Sequence, residues 1–393
     1  MFIRRIYGHA MRSGSRCLAF VVPLLLLGGG CASTDGDTYG GEATVRHLDS
    51  MTVPDGSMPF GVPFGGISGI DYDPTSDRYL AISDDRAEKG PARYFELGLP
   101  IDDSGRFTAE QPDILTMTAL ANSDGQPYPA KGVDPESARR DPDSGNILYS
   151  SEGDASKLLA PFVRAATAAG TVVEDYPLPP AYLPVAGPDG AQVAGVRNNL
   201  SLEGLTISAD GTRIVALTEN ALTQNGPITG TDSASPARVL FLDLNSGEPI
   251  DEFVYSVDAI GGPYPDVTDA TGYTQKADRG ASEILAVSDT DYIVVERGLI
   301  PGRGNTVQLF RATTAGATSI RGKDRIDGTE TPMPKTLLFD FATVGINPDN
   351  VEGITWGPTL RDGSRTLLLC SDDNFNAVGG QHTMFHLLAI EGL

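Results

Sequence analysis

The residues of this chain able to do chemistry are carboxylates, and they recur at regular spacing. Glu136, Glu203, Glu283 and Glu352 each open a short apolar run, while Asp84, Asp85, Glu152, Glu219, Glu296, Asp372 and Asp373 each end one. The separation is 16 positions from Ser68 to Asp84, from Glu136 to Glu152 and from Glu203 to Glu219. It is 13 from Glu283 to Glu296 and 20 from Glu352 to Asp372. Oxygen donors without clustered His or Cys suit a hard cation, above all Ca²⁺, which takes about 6–8 oxygen ligands. Zinc is disfavoured, because the four histidines stand at 9, 47, 382 and 386, and the last two fall on or beside an expected strand, in structural positions. The metal-ligand candidates are therefore Asp84, Glu136, Glu203, Glu219, Glu283, Glu352 and Asp372. Basic and amide residues flank them: Arg86, Lys131, Arg139, Arg197-Asn198-Asn199, Arg279, Arg297, Asn347 and Asn350. Arg197 and Arg297 are the candidates to clamp an anion through paired hydrogen bonds. Glu203 and Glu352 are each preceded by amides, which add oxygen ligands without charge, and these two are expected to matter most. For any one acid an equal alternative is a hydrogen bond to the backbone of the neighbouring unit, and for any one Arg, neutralisation of a nearby Glu.

The elements that must position these groups are hairpins. Each unit begins with an apolar-alternating run, turns through Asp, Gly, Ser or Thr, and returns through a β-rich run such as Ile214-Val215-Ala216-Leu217-Thr218. In an antiparallel hairpin the start of the first strand and the end of the second share one edge, so each unit brings its acids together. Unit starts lie 68, 67, 80 and 69 residues apart, a fixed period that signals a repeat architecture. Radial repetition of such units makes an all-β protein, a β-propeller, with carboxylates ringed at one mouth. Five four-stranded blades are expected. A sixth has room in Thr171–Val196 or from Asp258 onward, where loops exceed ordinary lengths. The last unit lacks a fourth strand and the run Ala43 to Val53 has no unit of its own, so the N-terminal strand is expected to complete the C-terminal blade and close the ring.

Composition sets outer limits. The chain has 393 residues with 40% hydrophobic content, and the repeats run nearly end to end, which reads as one domain over 43–393. Residues 1–30 read as a signal peptide: Arg4, Arg5, Arg12 and Arg16 precede the apolar run Leu18 to Leu27, too short to span a bilayer. Cys31 follows Gly28-Gly29-Gly30 in the manner of a lipidation box, although Gly28 stands where Leu is usual, and 31–42 reads as a tether. Export to the bacterial cell envelope, or secretion, follows, with membrane contact only through a lipid anchor. The formal charge is −23 and becomes four units more negative once the signal arginines leave, which repels nucleic acid and anionic membrane. Only Cys17, Cys31 and Cys370 are present, so no disulfide framework exists, and Cys370 in Leu-Leu-Leu-Cys-Ser reads as a buried apolar residue. A Gly-x-Ser-x-Gly elbow and a phosphate loop ending in Gly-Lys-Ser/Thr are both missing, which disfavours covalent catalysis.

Gly69-Ile70-Asp71-Tyr72-Asp73 to Ser83-Asp84-Asp85, Glu203-Gly204-Leu205 to Glu219-Asn220, and Asn350-Val351-Glu352-Gly353-Ile354 to Ser371-Asp372-Asp373-Asn374 resemble, in order, the phytase-like domain family of exported bacterial proteins. That family is described as having esterase-like activity of phytase. The resemblance covers roughly Gly65 to Leu393. It implies a β-propeller that hydrolyses a small phosphorylated or ester substrate with a metal-activated water. Lysine is sparse around the expected mouth, which argues against inositol hexakisphosphate. The alternative is a non-catalytic cell-envelope propeller that binds a ligand or partner protein through its acidic face, since fold alone supports both.

Overall fold

In a computed structural model of the protein, which describes residues 43–268, 272, 274–376 and 380–393, the β-rich runs assemble into five four-stranded antiparallel sheets. The signal segment 1–30, the tether 31–42 and Cys31 lie outside the described residues. The blades are Ile67–Asp73, Arg78–Ser83, Arg93–Gly98 and Asp113–Ala119; Pro135–Arg140, Ile147–Ser151, Phe162–Ala166 and Val172–Tyr176; then Leu202–Ile207, Arg213–Thr218, Ser235–Asp243 and Pro249–Val257. The fourth is Gly280–Ala286, Asp291–Ile300, Gly304–Thr313 and Lys335–Asp340. The fifth takes Asn350–Trp356, Arg365–Asp372 and Met384–Glu391 from the C-terminus and Thr44–Thr52 from the N-terminus. The first strand of each blade packs against the first strand of the next, and the fifth against the first, so the ring is closed and the molecule is a five-bladed β-propeller.

Each sheet is buried on both faces, which explains why the second strands are continuously apolar. Along Arg213–Thr218, Val215 and Leu217 face the fourth blade while Ile214 and Ala216 face the second. One hydrophobic core fills each of the five gaps between blades. A fully buried Leu or Ile contributes ~2–3 kcal/mol to such a core. Cys370 is one of these residues, at the gap between fifth and first blades.

The N-terminal strand pairs with the last strand from Thr44↔Glu391 to Thr52↔Met384, which removes the open edge of the fifth blade. A clasp of side chains holds this seam: Ser50 Oγ lies 2.8 Å from His47 Nε2 and 2.7 Å from His386 Nδ1, and His386 Nε2 reaches the Pro348 carbonyl at 2.9 Å. No sixth blade forms among the described residues. The long segments expected to have room for one instead carry two small hairpins, Val185–Ala186 with Gln192–Ala194 and Val267–Thr268 with Thr274–Gln275. Helical structure among the described residues is confined to short 3₁₀ turns, and none is long or apolar enough to cross a membrane.

Candidate functional site

The inner hairpin of every blade carries a β-bulge near the same end. There two residues of the first strand oppose one of the second, which re-aims the side chains around the bulge. The extra residue is Ser68, Glu203, Ser282 or Glu352 in blades one, three, four and five, and in blade two it falls within Glu136-Ser137. The next position lies on the propeller axis: Gly69, Ser137, Gly204, Glu283 and Gly353. On the second strand or just past its end, one position beyond the partner of the residue before the bulge, the matching residues are Asp84, Glu152, Glu219, Arg297 and Asp372.

The structure corrects two sequence expectations, the first through this register. In blade four the mouth positions belong to Ser282 and Arg297, not to Glu283 and Glu296. Glu283 is therefore not a mouth ligand, because the bulge moves it onto the axis, where neighbouring strands crowd together. A Cβ on Gly204 would meet Ile284 N at 2.9 Å, and one on Gly69 would meet the Glu136 carbonyl oxygen at 2.8 Å, so these axial positions tolerate no side chain. Glu283 and its partner Arg139 fill the space that remains. The Arg139 guanidinium pairs with Glu283 at 3.0 Å and donates to the carbonyls of Ile70, Ala138, Ile284 and Ile354. Glu283 accepts from Ser137 Oγ at 2.7 Å and Leu205 N at 2.8 Å. These two side chains, 3% and 0% exposed, thereby touch all five blades. Burial pushes the Glu283 carboxyl up to about 7, with Arg139 and the donors pulling against it.

The second correction is Arg197. Its Nε donates to the Ala221 carbonyl at 3.0 Å and its Nη2 to the Gly226 carbonyl at 2.8 Å, so its guanidinium is spent on the loop after blade three's second strand. Glu296 accepts instead from Tyr255 Oη and Arg279 Nε, at 2.8 and 2.6 Å, beside Lys335.

The remaining candidates do converge. Asp84, Glu136, Glu203, Glu219, Glu352, Asp372 and Arg297 line one cavity of about 330 Å³ at the mouth, with Asp134, Glu152, Asp278 and Arg86. Asp134, Glu136 and Glu152 each place a carboxylate oxygen within 4.8 Å of the others. Arg297 Nη2 is 3.1 Å from Glu352 and 3.6 Å from Glu219. Arg86 Nε is 3.3 Å from Asp134. Asn350 Nδ2 steadies Glu352 at 2.9 Å, and Asn374 N donates to Asp372 at 2.8 Å. Glu136 and Glu203 accept from no amide, hydroxyl or basic group among the described residues, and Asp84 Oδ1 is buried without a partner. Sequence reasoning missed Asp134 because it precedes the strand; its signal was a second acid two places before Glu136. Blade four's short separation of 13 was likewise the sign of a slipped frame, since Ser282 to Arg297 is 15, close to the 16 of the first three units.

The electrostatics follow from two arginines among many buried acids. Burial, then Glu203 and Asp134, drives Glu136 well above the usual carboxylate range, and burial with Glu152 and Glu219 does the same to Glu203. Burial and Asp134 raise Glu152 to about 8. Burial raises Asp134 to about 7 against Arg86, and Glu219 to about 7 against Arg297. Burial opposes the Arg297 charge, but Glu219 and Glu352 outweigh it and hold the guanidinium firmly protonated. Packing like charges in a low-dielectric cavity costs free energy that a bound cation would remove. A donor set made only of oxygens, with an orphaned Asp84 oxygen, fits a hard divalent cation.

Among solved structures, the chain is similar to a protein of unknown function from Dyadobacter fermentans at 11% identity and TM-score 0.37, covering 88% of this chain and 99% of that one. It is also similar to a thermostable family-43 glycoside hydrolase at 12% identity and TM-score 0.45, covering 86% and 91%. The β-propeller domain of Cps50 (Swd1) from Myceliophteria thermophila matches at 9% identity and TM-score 0.29, covering 82% and 83%. No curated protein matches the chain. Residues 62–375 match the phytase-like family, described as having esterase-like activity of phytase. With a bulged acid at the mouth in three of its five blades and a family match that spans most of its length, the chain belongs to the phytase-like family.

Proposed function

We propose that this protein is a cation-dependent hydrolase of small phosphoric esters that works at the acidic mouth of the propeller, with Ca²⁺ as its ion. The observation that carries the reading is the excess of buried carboxylate over base in one cavity. Asp134, Glu136 and Glu152, whose oxygens lie within 4.8 Å of one another, would hold the ion, with Asp84 and Asp372 on the adjoining wall. The bound ion supplies positive charge for a phosphoryl group and acidifies water at neutral pH. The chain's own residues do the rest. Arg297 is anchored through Nη2 by Glu352 and Glu219, which sets its guanidinium in the cavity wall to meet a substrate oxygen. Glu352 fixes that guanidinium and is itself fixed by Asn350. Glu203, which burial keeps partly protonated, can pass a proton from its carboxyl to a leaving alkoxide. The signal-like 1–30 segment and Cys31 support export and a lipid anchor as part of the same proposal.

The test is a phosphomonoester screen on purified protein, with EDTA and with Ca²⁺ restored. The reading requires activity that Ca²⁺ restores and that both Glu203→Gln and Glu352→Gln lose by about a hundredfold or more while keeping the wild-type melting profile. A Ca²⁺-raised Tm without hydrolysis of any ester would instead favour a binding propeller.

A further inference from the structure

Just after Asp372 and Asp373 the chain turns over Asn374–Asn376, where three successive residues with side chains adopt left-handed backbone, at φ of 46°, 48° and 57°. Each carries a conformational cost that its surroundings must offset, modest for asparagine and larger for the phenylalanine between the two. Outliers of this kind gather at clamps and switch regions. This one stands at the mouth, because Asn374 belongs to the wall of the acidic cavity and to that of a second cavity beside it.

What holds the turn comes from both sides of the ring closure. Asp373 Oδ1 accepts from Phe375 N at 3.0 Å and from Gly66 N, just ahead of the first blade, at 2.7 Å. Asp372 Oδ1 accepts from Asn374 N at 2.8 Å, the Asp373 carbonyl from Asn376 N at 2.6 Å, and Asn376 Oδ1 from Gly380 N at 3.0 Å. Gly65 and Gly66 form a cradle for the turn. A Cβ on Gly65 would lie 2.7 Å from the Asp373 carboxylate, and one on Gly66 would collide with Asp84 Oδ1 and lie 2.5 Å from the Phe375 ring. The ring edge therefore fills the flank of Asp84, the acid whose Oδ1 is buried without a partner, and Lys89 Nζ stands 5.1 Å from the ring centroid. The turn is thus a strained leaf resting on a neighbouring blade, and one carboxylate, spent on two backbone amides, latches it there. Return of its residues to ordinary backbone would release the strain, withdraw the ring from Gly66 and open the flank of Asp84 to water.

We propose that Asn374–Asn376 is a gate on the acidic mouth, latched by Asp373 onto the Gly65-Gly66 cradle, and that a ligand enters and leaves past Asp84 when the turn swings out. The part the gate plays for Ca²⁺ rests on the reading of the mouth as a cation site, but its opening is measured without any ion. Hydrogen exchange of the full chain in EDTA, read by mass spectrometry and corrected for intrinsic rates, follows that opening. The amides of Asn374 and Phe375 are expected to exchange at least about a hundredfold faster than those of the strand residues Leu367 to Cys370. Asp373→Ala should speed the turn about tenfold further and leave the strand unchanged, since two charge-assisted hydrogen bonds are lost. Phe375→Ala, which keeps the latch and empties the cradle, should speed Asn374 about threefold. Asn374→Gly should slow the turn about threefold, because left-handed backbone is no strain for glycine. In a second arm, Ca²⁺ release from the loaded protein into a fluorescent chelator is expected to quicken about tenfold in Asp373→Ala, while affinity by calorimetry changes less than about threefold, as a gate alters entry and exit together. Exchange in the turn as slow as in the strand, no acceleration in either alanine variant, or unchanged Ca²⁺ release from a variant whose turn exchanges faster would each overturn the gate. A protein that takes up no Ca²⁺ would sink the cation reading and leave the gate to be decided by exchange alone.

Discussion

Glu283 and Glu203 sit one step apart in blade register and are both buried, yet their surroundings differ sharply. Glu283 has an arginine at 3.0 Å and hydroxyl and amide donors, and through them it joins blades two, three and four, with Arg139 adding one and five. Glu203 has no donor or basic partner of its own and faces other acids across a cavity. A buried charge that is fully paired costs little to keep and much to half-remove, whereas clustered unpaired acids are a standing cost to the fold. The axis is thus a structural tie, and the mouth stores strain that a ligand can relieve.

The largest effect expected from this contrast is at the axis. Glu283→Gln leaves the Arg139 charge buried without its counter-ion and should cost ~3–5 kcal/mol in denaturant unfolding. A loss under about 1 kcal/mol would mean that the four carbonyls alone satisfy Arg139, and the tie would be no more than packing.

The pH response of the cation-free protein comes next. Glu152, Asp134 and Glu219 titrate at about 8, 7 and 7 in the fold, above their unfolded values near ~4. Between those limits the native state holds more protons than the unfolded chain, so stability must fall as pH rises. Thermal melts in EDTA should therefore show Tm climbing by several degrees from pH 8 to pH 5, and saturating Ca²⁺ should flatten that slope. A Tm that instead rises with pH in EDTA would show that the mouth acids are neutralised within the fold.

Smaller effects separate sterics from charge. Gly204→Ala places a methyl 2.9 Å from Ile284 N, which should cost ~1–3 kcal/mol with no change in cation affinity. Glu136→Gln removes one unpaired acid and should leave the EDTA protein as stable or up to ~1 kcal/mol more stable, while weakening Ca²⁺ binding measured by calorimetry. If Glu136→Gln destabilised as Glu283→Gln does, mouth and axis would be one structural network.

Much of this protein is legible in its sequence. The 16-residue separation from opener to closer, and units about 70 residues apart, follow from hairpin geometry that repeats locally, so five blades and an acidic mouth could be read directly. The orphan strand near Ala43 and the missing fourth strand of the last unit matched each other by count alone, and the observed pairing of Thr44–Thr52 with Met384–Glu391 follows that count. What the chain could not show was which side of each bulge a residue takes. A one-residue slip in register turns a side chain from one face to another, so Ser282-Glu283 offered two frames and only the packed neighbours chose between them. The Arg139–Glu283 tie, the diversion of Arg197 to backbone carbonyls and the arrival of Asp134 at the mouth all join residues from separate turns or blades. Their positions depend on distances across the ring, which no local pattern encodes and which the closed tertiary structure alone decides.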